Sequence, residues 1–260
     1  MAAVELTPGV RTPVVVMGAS NVSRGLARLA AVVRSRVASP VDLFVAAGHG
    51  RGYALATRVG LRRLPSILGS GLWRSLERQG IERPLVLVTD VGNELLYGLG
   101  VAGLARAVRT AAGRLADAGA RVAITGLPLE SVARVGRARY RLLRTCYVPG
   151  CTIPLGDLKE ATVWLDDELR AAAADIGGRY IPQPGLWYGF DALHLRRRRL
   201  DDLWHAAGDA WGLPSAAARG RWRDWATLGS RAAEVRSLAR RVRYVPQPVV
   251  DHRDLRVWMY

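Results

Sequence analysis

The residues best suited to chemistry in this sequence are a serine, an asparagine, an aspartate and a histidine. Ser20 and Asn93 each stand shortly after a run of apolar residues, and Asp191 stands three residues before His194. If the serine, histidine and aspartate meet in space, the imidazole can remove the hydroxyl proton while the carboxylate orients the imidazole. The amide of Asn93 can donate to the negative oxygen that forms when such a serine attacks an ester. These residue types predict acyl transfer.

The elements that must bring these residues together are predicted from bounded apolar runs and helical periodicity. Strands are predicted at 14–17, 41–46, 85–89, 121–125 and 179–181. Helices are predicted from near residue 22 to residue 37, at 72–79, 101–118 and 158–176, and in a last segment that ends near residue 211. This alternation predicts an α/β protein, a three-layer α/β/α sandwich with a five-stranded parallel sheet. The carboxyl ends of parallel strands share one edge, so residues distant in sequence can converge there.

Four blocks of the sequence resemble the conserved blocks of the SGNH/GDSL hydrolase family. The blocks are Gly18-Ala19-Ser20, Gly50-Arg51-Gly52, Gly92-Asn93-Glu94 and Asp191-Ala192-Leu193-His194. They occur in the family's order and after the predicted strands, within residues 13–212. The resemblance implies a flavodoxin-like fold and a serine esterase, lipase or acetylesterase that hydrolyses acyl or acetyl esters.

The resemblance also assigns the catalytic roles. It implies that Ser20 is the nucleophile, that His194 is the general base and that Asp191 orients the histidine. The Ser20 N–H, the Asn93 amide and a glycine N–H would form the oxyanion hole. Gly50 is the expected glycine, with Gly48 as the alternative.

The sequence departs from the family's pattern at three positions. Ala19 stands where the family usually has aspartate, so weaker hydrogen bonding at the serine turn is expected. Glu94 replaces the usual aspartate after Asn93. Leu195 replaces a proline that often follows the histidine, and a displaced histidine loop is expected from this change.

Composition indicates a globular and strongly basic protein. The 260 residues are 50% hydrophobic, and the formal net charge is +16, carried almost wholly by arginine because Lys159 is the single lysine. Such a surface attracts nucleic acid, anionic lipid or an acidic substrate, or it reflects a coding bias towards arginine. The four residues Arg196–Arg199 favour an anionic ester as the small-molecule substrate. The alternatives are a catalytically inactive SGNH fold and a basic polyanion-binding protein.

The predicted domain organisation has two parts. Residues 1–213 are predicted to form the SGNH-hydrolase-like domain, and residues 214–260 a basic extension rich in arginine and tryptophan. The extension has ten arginines and four acidic residues, and prolines at 246 and 248. It is expected to pack on the domain and to be partly irregular. The sequence does not indicate an oligomeric state.

The remaining features predict a cytoplasmic protein without cofactor or metal. The first residues lack the pattern of a secretory signal, and no apolar run has the length of a transmembrane segment. Cys146 and Cys151 form neither a disulfide framework nor a zinc ligand set.

Two other enzyme families share parts of the first block. A short-chain dehydrogenase requires a Tyr-x-x-x-Lys pair, but Leu155 stands four residues before Lys159, and the glycine pattern after the first strand is incomplete. An α/β-hydrolase requires Gly-x-Ser-x-Gly, but Ala19 and Asn21 flank Ser20. Both families fit the sequence less well than the SGNH/GDSL hydrolases do.

Overall fold

A central β-sheet organises the described part of this computed structural model, which comprises residues 11–59, 62–218, 226, 228, 235–236, 242–243 and 246–260. The strands are β1 (Thr12–Met17), β2 (Val41–Ala46), β3 (Thr57–Val59), β4 (Arg62–Leu64), β5 (Leu85–Val88), β6 (Arg121–Thr125), β7 (Arg179–Ile181), β8 (Val235–Arg236), β9 (Val242–Arg243), β10 (Val250–Asp251) and β11 (Leu255–Met259). The central sheet has the order β10-β11-β2-β1-β5-β6-β7. All neighbouring pairs in it are parallel except β10 with β11. Strands β3, β4, β8 and β9 form a second, antiparallel sheet.

Helices cover both faces of the central sheet. The α-helices are α1 (Ser20–Arg36), α2 (Leu72–Arg78), α3 (Val101–Ala116), α4 (Leu129–Ala133), α5 (Arg137–Tyr147), α6 (Leu155–Asp175) and α7 (Leu200–Ala210). Short 3₁₀ helices occur at Asn93–Leu95, Gly185–Trp187 and Arg197–Arg199. The architecture is therefore a three-layer α/β/α sandwich, broadly consistent with a flavodoxin-like fold.

Most of the core lies in two hydrophobic clusters, one on each face of the sheet. Val14 and Val16 of β1 pack in a cluster with side chains of α1 and α7. Val15 and Met17 point to the other face and pack with side chains of α2, α3 and α6. Successive side chains of a strand alternate between faces, so a strand covered on both sides is apolar at nearly every position. This explains why the central strands are continuous apolar runs in the sequence.

The prediction of a five-stranded sheet is wrong, because β10 and β11 extend the central sheet to seven strands. Both strands lie within the segment 214–260 that was expected to be partly irregular. Strand β11 pairs in parallel with β2, and Trp258 of β11 stacks on Phe44 of β2 with ring centroids 4.6 Å apart. The apolar residues of β11 are thus buried against a strand from the other end of the chain.

The candidate site residues follow the carboxyl ends of the parallel strands. Ser20 follows β1, Gly48 and Gly50 follow β2, Asn93 follows β5, and the loop that carries His194 follows β7. The strand order reverses at β1. Strand β2, the next after β1 in the chain, lies on one side of β1, and β5 with the later strands β6 and β7 lies on the other side. Such a reversal opens a crevice at the carboxyl edge of an α/β sheet.

Candidate active site

Ser20 lies at a tight turn between β1 and α1, and it is the first residue of the helix. The turn requires a small residue at Gly18, since a Cβ there would lie 2.6 Å from a methyl group of Val22. Ser20 is 9% exposed and lines a cleft. The turn therefore directs a serine into the crevice at the edge of the sheet.

Asp90 binds the start of α1 from the end of β5. Its Oδ2 accepts hydrogen bonds from the backbone N–H groups of Ala19 and Asn21, both at 2.9 Å, and of Val22 at 3.2 Å. A carboxylate at this position complements the partial positive charge of a helix N-terminus. Weaker hydrogen bonding was expected at this turn because Ala19 replaces an aspartate. Asp90, which follows β5, supplies a carboxylate to the same turn. The Ser20 N–H is not among the groups that Asp90 binds.

Asn21 connects the serine turn to both sides of His194. Its Nδ2 donates to Asp90 Oδ1 at 2.8 Å and to the Leu193 carbonyl at 3.1 Å. Its Oδ1 accepts from the Leu195 N–H at 2.9 Å. The asparagine is buried, at 3% exposure. The residue after Ser20 therefore fixes the backbone on either side of the histidine.

His194 and Asp191 form a hydrogen-bonded pair. The histidine Nδ1 lies 2.6 Å from Asp191 Oδ2, while Asp191 Oδ1 accepts from the N–H groups of Leu193 and His194. Partial burial alone would raise the pKa of Asp191, but the hydrogen bonds from His194 and Leu193 lower it to about 2. An ionised Asp191 favours a proton on Nδ1, which leaves Nε2 as the basic nitrogen.

Glu94 joins the Asn93 turn to the glycine loop, the segment after β2 that carries Gly48, Gly50 and Gly52. Its buried carboxylate accepts the backbone N–H groups of Tyr53, Ala54 and Leu55 at 2.6–2.9 Å. Gly52 has to be glycine, because a Cβ there would lie 2.5 Å from the Glu94 carboxyl carbon. Glu94 therefore holds two of the sequence blocks against each other.

The glycine loop is also tied to the C-terminal strand. Gly50 has a positive φ of 69°, and its carbonyl accepts a hydrogen bond from the Tyr97 hydroxyl at 3.0 Å. The Arg51 side chain is buried and donates to the carbonyl groups of Ala47, Pro65 and Tyr260. The loop is thus fixed by contacts on both sides of Gly50.

The cleft beside Ser20 brings some of the sequence-predicted site residues together. Ser20 and Asn93 line it, together with Asp90 and with Ala192 and Leu193 of the histidine loop. Among the described residues, its lining does not include Gly48, Gly50, Asp191 or His194. The wall beyond Asn93 is mainly apolar and comes from the residues Leu95, Leu96, Leu127, Pro128, Val132 and Leu158. The cleft, about 80 Å³ in volume, has space for several water-sized groups.

Helix α5 lies against the histidine loop. The Tyr147 ring centroid is 5.9 Å from that of His194, and the Tyr147 hydroxyl donates to Asp191 Oδ2 at 3.4 Å. Burial and the Asp191 carboxylate raise the pKa of Tyr147, so its hydroxyl stays protonated and able to donate.

Sequence reasoning did not assign roles in the site to Asn21, Glu94 or Tyr147. A polar residue directly after the serine and a carboxylate directly after Asn93 were the available signals. For Tyr147 the arginine-rich segment around it gave no signal.

Within the described residues, no group of three histidine, cysteine, aspartate or glutamate side chains is arranged to hold a metal ion. Cys146 is exposed and Cys151 is buried, and both are free thiols. A helix long and apolar enough to cross a membrane is not found in the described ranges.

Comparison with known proteins supports the fold. No family model matches the chain, and no curated protein matches it. One solved crystal structure matches with a TM-score of 0.53 at 15% identity, covering 77% of this chain and 97% of the other. Psychrotrophic esterase EstA from Pseudoalteromonas sp., in a structure inhibited by monoethylphosphonate, matches with a TM-score of 0.50 at 13% identity, covering 76% of this chain and 96% of EstA. The chain therefore shares its fold with an esterase.

Proposed function

We propose that this protein is a serine esterase of the SGNH/GDSL type that hydrolyses carboxylic esters without a cofactor. The observation that carries the proposal is the bridge made by Asn21. Its side chain joins the turn of Ser20 to Leu193 and Leu195, the residues on either side of His194. The hydrogen bond between His194 and Asp191 also supports the proposed esterase activity. A fold shared with EstA agrees with it.

The first half of the reaction forms an acyl-enzyme. His194 Nε2 takes the hydroxyl proton as Ser20 Oγ attacks the ester carbonyl, and Asp191 stabilises the imidazolium. The oxygen of the tetrahedral intermediate accepts hydrogen bonds from the Ser20 N–H and the Asn93 amide, with Gly50, or alternatively Gly48, as the third donor. The C–O bond to the alcohol then breaks, and His194 returns the proton to the departing oxygen.

The second half releases the acid. Water replaces the alcohol, His194 removes its proton, and the hydroxide attacks the acyl carbonyl on Ser20. Collapse of this second intermediate breaks the bond to Ser20 Oγ, which regains a proton from His194.

The cleft sets the kind of ester that fits. Its wall beyond Asn93 is apolar, and among the described residues that line it no side chain is positively charged. A short apolar acyl group suits this wall. An anionic part of the substrate would therefore extend out of the cleft, towards the arginines of the surrounding surface.

Turnover of a short-chain p-nitrophenyl ester tests the proposal. The wild-type protein should hydrolyse it, and Asn93→Ala should lower kcat by about 10²–10³ with the fold intact, because one oxyanion donor is lost. Circular dichroism checks the fold. A wild-type protein inert to such esters would support the inactive or polyanion-binding alternatives, and an unchanged rate in Asn93→Ala would remove Asn93 from the oxyanion hole.

A further inference from the structure

Helix α5, which borders the histidine loop, is strongly basic. It carries Arg137, Arg139, Arg141 and Arg144 within 11 residues and has no acidic residue. In the described part of the chain, none of these four arginines forms a salt bridge. Only Tyr140 of the helix is buried. Arg137 and Arg141 are exposed, while Arg139 and Arg144 are half-buried.

Large apolar side chains are exposed beside this charge. Leu142 is 55% exposed, Tyr147 is 53% exposed and Phe190 is 66% exposed. Arg139 connects Phe190 to α5, since its guanidinium donates to the Phe190 carbonyl and lies 4.6 Å from the ring centroid. We name these apolar residues, together with Arg137, Arg139 and Arg141, the α5 surface.

The α5 surface lies at the edge of the candidate active site. Tyr147 belongs to it and contacts both His194 and Asp191. Phe190 directly precedes Asp191 in the chain. Whatever binds to this surface therefore comes within reach of the histidine loop.

We propose that the α5 surface docks the protein onto anionic lipid. A helix with arginines and exposed apolar side chains binds such an interface because the guanidinium groups meet lipid phosphates while the apolar groups enter the acyl boundary. A nucleic acid would satisfy the arginines but leave Leu142 in water. Docking would bring the histidine loop close to esters held in the lipid. Binding to the lipid does not itself require ester hydrolysis.

Co-sedimentation with vesicles tests the docking. The full chain should bind vesicles of mixed phosphatidylglycerol and phosphatidylcholine and not vesicles of phosphatidylcholine alone, and added salt should weaken the binding. Arg137→Gln with Arg141→Gln should weaken it about 30-fold. The matched control is Arg74→Gln with Arg78→Gln, which removes two exposed arginines at the same spacing from α2 and should bind as the wild type does.

A second pair of variants tests the apolar contribution. Leu142→Ser should weaken vesicle binding about tenfold, while Trp164→Ser, which changes a 54% exposed residue on α6, should not. Equal binding to both vesicle types would overturn the proposal, and so would an equal loss of vesicle binding in a variant and its control. The proposal would also be overturned if Leu142→Ser bound vesicles normally and a DNA duplex displaced this variant from them, since that result indicates a polyanion site. Ser20→Ala should bind vesicles normally, which separates docking from catalysis.

Discussion

At the scale of single residues, the side chain of Asn21 connects groups that are far apart in sequence. Its partners are Asp90, 69 residues away, and the backbone of Leu193 and Leu195, more than 170 residues away. All three contacts depend on the sheet having formed. The sequence therefore predicts Ser20, Asp191 and His194 as site residues by residue type and spacing, but it gives no reason to expect that Asn21 bonds to the backbone on both sides of His194.

Replacing Asn21 should impair catalysis more than stability. Asn21→Ala removes the contacts that hold the histidine loop, and a displacement of about 1 Å in a catalytic group can cost about 100-fold in rate. We expect kcat for a p-nitrophenyl ester to fall about 100-fold with KM nearly unchanged. Ser23→Ala is the control, because it removes one hydrogen bond from the same turn without touching the loop. Equal effects of the two variants on kcat would refute a positioning role.

Asp191 should make the stability of the fold depend on pH. Its pKa is about 2 in the folded protein against an ordinary value of 3.8. A lowered folded-state pKa contributes stability above the unfolded pKa, and this contribution is lost as pH falls through the folded pKa. The difference in unfolding free energy between wild type and Asp191→Asn should thus be constant above about pH 5 and shrink from pH 3.8 towards about pH 2. Urea unfolding measures it, and a difference that does not vary with pH contradicts the assignment.

At the scale of elements, regular apolar runs were predicted well. Strands β2, β6 and β7 have the predicted bounds because each is a short run closed by turn residues. Helix α1 begins at Ser20, two residues before the predicted start near Val22, and Asp90 stabilises its first turn from the loop after β5. Helices α4 and α5 were not predicted, because their arginine-rich sequence has few apolar residues at helical spacing.

The connection between the Asn93 turn and the glycine loop can be tested at Glu94. Glu94→Gln keeps the size of the side chain but replaces one acceptor oxygen with an NH2 group, so at least one of the three N–H groups that Glu94 binds loses its acceptor. This loss should cost about 3 kcal/mol of unfolding free energy. Urea unfolding measures the change. Glu77→Gln, at an exposed position of α2, is the control and should stay within about 0.5 kcal/mol of wild type. A Glu94→Gln protein as stable as that control would mean that the carboxylate does not support the loop.

At the scale of the whole molecule, the C-terminal strand completes the sheet that positions the site. Strand β11 pairs with β2, and Tyr260 next to it accepts a hydrogen bond from Arg51 in the glycine loop. The alternating residues of β11 are compatible with a strand, but a parallel partner some 200 residues away leaves no local signal. For this reason β1, β2, β5, β6 and β7 of the central sheet could be predicted, whereas β10 and β11 could not.

Loss of the stack between β11 and β2 should destabilise the entire fold. Trp258 is 7% exposed against Phe44, so Trp258→Ala should lower the unfolding free energy by about 3–5 kcal/mol. Trp164→Ala, at a half-exposed position of α6, should have little effect. Chemical denaturation compares the two, and equal small losses would show that β11 contributes little to the stability of the sheet.

Covalent labelling with a fluorophosphonate tests most directly the claim that Ser20 is an activated nucleophile. The wild-type protein should gain one adduct, located by peptide mass spectrometry on Ser20, and Ser23→Ala should be labelled equally. His194→Ala should react much more slowly, and Ser20→Ala should not be labelled. Equal labelling of the wild type and Ser20→Ala would contradict the proposed acyl transfer.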